Sequence, residues 1–195
     1  MAEKIPRREL DLDELKALAH PLRQRILYHL ASVGPANSTS IAKTFGESTG
    51  STSYHLRQLE RFGLIDEVQE RAKGRERWWR LVPLDLRGKA DADGEPEPPE
   101  AAAVADRLGR IRLERDRELV DRYLGHRHRF GDWDDVAMFS SSITHLTKDE
   151  LARFTEEYVE LLKRYWREPD ERPPDAKPVA AMLSAFPWPG EVDEP

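Results

Sequence analysis

Apolar residues recur at helical spacing through most of the first sixty positions. In DLDELKALA (11–19) the leucines fall three and four apart, which predicts a short helix capped by Asp11 or Asp13. His20-Pro21 breaks that pattern. A second helix is predicted over 21–33, with proline at its first position and Leu22, Ile26, Leu27 and Leu30 on one face. GPANS (34–38) is a turn, after which Ser38 or Asn37 caps a third helix over 39–45, ended by Gly46. STGSTSYHLRQLERFG (48–63) predicts a fourth helix over about 50–62, ended by Gly63. Thr52, Leu56 and Leu59 form its inward stripe. Ser53, Tyr54, Arg57 and Arg61 lie opposite, and Gly50 and Ser51 stand at its start.

The period then changes. LIDEVQE (64–70) and ERWWRLV (76–82) read as two strands around the tip RAKGR, a β-hairpin whose tip carries Arg71, Lys73 and Arg75, with Gly74 supplying the turn. LDLRGKADADGEPEPPE (84–100) is rich in proline, glycine and acid and reads as a linker. Beyond it, 101–125 is a long helical pattern, DVAMFSSSIT (135–144) suits a strand, and Thr147 with Glu150 makes a capping box opening a helix over 148–166. VAAMLSAF (179–186) suits a second strand. The expected architecture is mainly α with a β-hairpin wing over 1–83, a linker over 84–100, and a small C-terminal α/β module for dimerisation or effector binding over 101–195.

Composition narrows the chemistry. The chain has 195 residues and no cysteine, so disulfides, thiolate metal sites and thiol redox sensing are excluded. It has no apolar run long enough to cross a bilayer and no signal-like N-terminus, so a cytoplasmic protein without a membrane partner is expected. The net charge is −6, but unevenly spread: residues 1–89 hold 16 Lys and Arg against 12 Asp and Glu, the remainder 15 against 25. The front half can meet phosphates; the back half is acidic.

A helix packed across a preceding short helix, followed by a basic hairpin, is the order of parts in a winged helix, whose second helix of the helix-turn-helix enters the major groove. Small residues at the start of helix 50–62 let its N–H groups approach a phosphate closely. Serine, tyrosine and arginine can then reach base edges, with arginine favouring the O6/N7 edge of guanine.

Three separated segments carry a family resemblance. LKALAHPLRQRILYHLA (15–31), SIAKTFGESTGSTSYHLRQLERFGLI (40–65) and GRERWWRL (74–81) resemble, in that order, the first helices, the helix-turn-helix and the wing of ArsR-type winged-helix regulators. The resemblance covers about residues 12–83. It implies a homodimeric transcriptional regulator, most often a repressor, binding a pseudo-palindromic operator in double-stranded DNA. It places Ser51, Ser53, Tyr54, His55 and Arg57 at or near the DNA. Thr52 departs from the aliphatic residue common in the family. The family's thiolate metal site has no counterpart here. Its other site, of carboxylates and histidines on the last helices, finds only Asp121, His126, His128, Asp132, Asp134 and Asp135, without ligand spacing. No metal or cofactor is therefore expected.

The remaining features favour plainer readings. Ser140-Ser141-Ser142 near His145 lacks a nucleophile elbow and an orienting acid, so no catalytic residue is assigned and no enzyme is expected. Trp133, Phe139, Tyr158, Trp166, Phe186 and Trp188 either fill a core and interface or line a pocket for an apolar small-molecule effector. The rival function is a winged-helix protein-interaction module, which would expose an apolar patch on helix 50–62.

Overall fold

The computed structural model describes residues 5–71, 76–88 and 98–190. The chain divides into two compact units, Met1–Gly125 and His126–Pro195.

In the first unit, strand β1 (Arg7–Leu10) leads into α1 (Leu12–Leu18). Asp11 caps α1 through a reciprocal box: its side chain accepts from the Glu14 N–H at 2.8 Å, and Glu14 accepts from the Asp11 N–H at 2.9 Å. Helix α2 (Pro21–Val33) follows at once. The His20 Nδ1 accepts the Leu22 N–H at 3.2 Å, so the residue that breaks α1 also caps α2. Arg23 donates back to the Lys16 carbonyl at 2.8 Å and to the Ala17 carbonyl, closing the end of α1. After β2 (Ala36–Asn37), Asn37 caps α3 (Ser38–Phe45), and Gly46 ends it at φ 70°. Helix α4 (Thr49–Arg61) begins two residues later, capped by the Ser48 hydroxyl, and Gly63 turns the chain at φ 62°. Both φ values lie in the left-handed region that glycine enters without strain.

The wing strands are β3 (Ile65–Glu67) and β4 (Trp78–Leu81), antiparallel with Ile65 opposite Leu81. β2 pairs with the other edge of β4, Ala36 opposite Trp79, giving the order β2-β4-β3. The core lies between α1, α2, α4 and this sheet. Leu18, Ile26, Ile41, Leu56, Leu59 and Trp79 are buried there.

Two features of the first unit differ from the expected layout. Asp85–Gly88, expected to open the linker, forms a strand, β5, parallel to β1 with Arg7 opposite Asp85. Neither four-residue strand carries an apolar alternation, so period gave no signal. The rest of that linker, 89–97, lies outside the described residues. The long helix α5 (Pro99–Leu124) belongs to the first unit rather than to the C-terminal region. Ala101 and Leu108 are buried, Leu108 within the core cluster, and Lys16 of α1 pairs with Glu100 at 2.5 Å. The boundary therefore falls after residue 125.

The second unit is built round α6 (Lys148–Tyr165), opened by the expected Thr147/Glu150 box. The fold is thus mainly α, a winged helix-turn-helix with a C-terminal module. The strands expected at 135–144 and 179–186 do not form among the described residues: both segments are irregular. A strand exists only by pairing, and residues 140–146 and 177–190 make no backbone hydrogen bond with any described residue.

Candidate nucleic-acid interface

Helix α4 is held by three inward residues. Thr52, Leu56 and Leu59 are completely or almost completely buried. The Thr52 hydroxyl donates to the Ser48 carbonyl at 3.0 Å, so a polar atom in the core has its partner within the same helix turn. Threonine can stand on this apolar stripe because its hydroxyl back-bonds within the helix, leaving its methyl to pack.

The outward face presents Tyr54, Arg57 and Arg61, all exposed, with Ser51 and Ser53 half-buried beside them. His55 does not join them. It is 8% exposed, because it falls three residues after Thr52 and four before Leu59, on the inward stripe. Its ring lies 4.4 Å from the His20 ring and 5.2 Å from the Tyr54 ring, centroid to centroid. A side chain so placed packs against Tyr54 and joins α4 to the start of α2. Burial lowers the proton affinity of both His20 and His55, and Arg23 lowers it further in each.

The N-terminal end of α4 is open. A Cβ built on Gly50 would touch only the Ser48 hydroxyl, at 3.9 Å, and Gly50 has no positive φ. Neither backbone conformation nor internal packing requires glycine there, although glycine weakens a helix. Thr49 and Gly50 are exposed, and the Ser51 N–H is satisfied by the Ser48 hydroxyl at 3.1 Å.

A shallow open groove of about 270 Å³ runs along this face between α1, α2 and α4. Lys16, Arg23, Gln58 and Asp13 line it together with Tyr54 and Arg61. The sequence reading missed Lys16, Arg23 and Gln58. Lys16 and Arg23 sit on other helices, and only the fold brings them beside Tyr54.

The wing is tied to α4 by Arg77. Its guanidinium donates to Glu60 at 2.6 Å and Glu67 at 2.8 Å while lying 4.3 Å from the Trp79 ring centroid. Arg71 is exposed, its guanidinium 5.7 Å from the Trp78 ring centroid. Lys73 and Arg75, expected at the wing tip, lie outside the described residues.

Elsewhere, His126 and His128 are exposed in the turn after α5, and Arg127 pairs with Asp134 at 2.9 Å. Among the described residues, no group of three or more histidine or carboxylate side chains is placed to hold a metal ion. No helix of the described residues is long and apolar enough to cross a membrane. Of the aromatics of the second unit, Tyr158 and Trp166 are half-buried, whereas Phe186 and Trp188 are 68% and 73% exposed.

A family model described as a helix-turn-helix domain matches residues 18–68, from the end of α1 through β3. No curated protein matches the chain.

Proposed function

We propose that this chain, a DNA-binding transcription regulator by its helix-turn-helix domain, acts as a homodimeric, sequence-reading repressor of the ArsR type without thiolate metal sensing and without catalytic activity. In this reading α4 is the recognition helix. Arg57, Tyr54 and Ser53 read base edges in the major groove, and Ser51 with the open end at Gly50 receives a backbone phosphate. Lys16, Arg23 and Arg61, along the groove, meet the flanking phosphates, and Arg71 with Lys73 and Arg75 of the wing contacts the backbone beyond. Two copies present their recognition helices about 34–36 Å apart, one turn of DNA, to an inverted repeat.

The observation that carries this is the surface of α4. It combines exposed Tyr54, Arg57 and Arg61 with an N-terminal glycine that the fold does not need. A protein-docking helix would expose an apolar patch instead. The net charge of −6 does not oppose the reading, because the excess acid lies in the back half of the chain.

The test is fluorescence anisotropy on duplex DNA with two variants. Arg57→Ala is expected to cost about 1–3 kcal/mol and to relax sequence preference. Neutralising Arg71, Lys73 and Arg75 together is expected to weaken binding to all duplexes alike and to flatten the salt dependence. If Arg57→Ala changes neither affinity nor preference, α4 does not read the DNA.

A further inference from the structure

The second unit has a thin interior, in which Leu151, Tyr158, Val159 and Trp166 are half-buried. None of its described residues is buried, and sixteen of its large hydrophobic side chains are exposed. Helix α6 is amphipathic, yet Phe154, Leu161 and Leu162 on it are 46%, 42% and 40% exposed. A helix of this kind forms in proteins chiefly because its apolar face is covered.

The same unit carries material suited to cover it. VAAMLSAF (179–186) is apolar at nearly every position, the pattern of a strand buried on both faces. Val179, at 75% exposed, is bare, and the segment makes no backbone hydrogen bond with any described residue. Residues 140–146 are equally unpaired, with Ile143 72% exposed. Each copy therefore offers a helix face only partly covered, with Leu151, Tyr158 and Val159 half-buried, and two irregular apolar segments lacking ladder partners among the described residues.

We propose that two copies of the chain complete this unit together, the segments 140–146 and 179–186 pairing across the dimer into a shared sheet that covers both α6 helices. The inference rests on the homodimer reading above and specifies how the dimer is made. A second copy fits because each copy supplies both parts, so a two-fold arrangement satisfies every unpaired segment and closes. A lipid surface does not fit. Unpaired backbone is costly in hydrocarbon, and residues 126–190 carry 12 acidic against 9 basic side chains, which disfavours an anionic membrane.

The test is amide hydrogen exchange on the full chain across a dilution series, with sedimentation reporting mass at each concentration. The expected result is a dimer of twice 22.5 kDa whose amides in 140–146 and 179–186 exchange at least about 100-fold slower than in an unstructured peptide. That protection is lost as the dimer dissociates. Leu183→Glu, with helix content checked by circular dichroism, is expected to shift dissociation to at least about tenfold higher concentration, since it places a charge in the shared sheet. A dimer whose amides in these segments exchange at peptide rates would overturn the shared sheet and leave the homodimer standing. A monomer at every concentration would overturn both. Protection persisting in a monomer would place the pairing inside one chain and overturn the proposal as well.

Discussion

Replacing Gly50 by alanine separates what the fold needs from what the DNA needs. The new methyl would meet one atom, the Ser48 hydroxyl at 3.9 Å, an ordinary van der Waals contact. The position is helical, and alanine there restricts the unfolded chain. The folded protein should therefore gain about 0.4–1 kcal/mol, raising Tm by about 1–4 °C for a chain of this length. On DNA the sign reverses. The methyl would stand at the open end of α4, where the proposed function puts a phosphate against the helix N-terminus. Losing one charge-assisted N–H contact costs about 1.5 kcal/mol, or roughly tenfold in Kd. Thermal unfolding and anisotropy on the same preparation give both numbers. A variant that is more stable and binds about tenfold more weakly supports the account. Unchanged affinity would refute the reasoning, because the glycine would then serve neither fold nor ligand. Lower stability would refute the packing half of it.

Two further predictions concern how the domain is held. Arg77→Ala should cost about 1–3 kcal/mol in urea unfolding, from two partly exposed ion pairs at about 0.2–1 kcal/mol each and one cation–π contact of about 0.5–1 kcal/mol. The loss should shrink at high salt, and a change within measurement error would remove Arg77 as the link between α4 and the wing. Acidification should also destabilise the protein. Burial holds His20, His29 and His55 below their ordinary value of 6.5, with His55 and the nearby arginines adding to the effect on His20. Below about pH 6.5 the unfolded chain takes up protons that the folded chain resists, so stability falls as pH falls through that value toward the folded-state pKa. A urea midpoint that holds or rises between pH 7.5 and 5.5 would contradict this, and His55→Gln should flatten the dependence.

The first unit was largely legible because its signals are local. Capping residues Asp11 and Asn37, Pro21 at the first turn, and Gly46 and Gly63 at helix ends each act within four residues, so the helices fall within a residue or two of expectation. What failed needs partners distant in sequence. β1 and β5 pair across nearly eighty residues with only four positions each and no alternation. The apolar stripe of α5 names no partner, and only packing shows that Leu108 enters the core between α1 and α2. At the interface, the outward face of α4 followed from helical periodicity. His55, which the family resemblance puts at or near DNA, is set inward by the 3.6-residue period. The strand pattern in VAAMLSAF is a genuine apolar signal that finds no ladder partner within its own unit.

Selection of bound duplexes from a random DNA pool by the purified full chain, at moderate salt, tests the central claim most directly. The account predicts an inverted repeat, its half-sites one helical turn apart, and loss of that preference with Arg57→Ala. Failure of a folded, dimeric protein to enrich any sequence would contradict it and leave α4 without the role assigned to it.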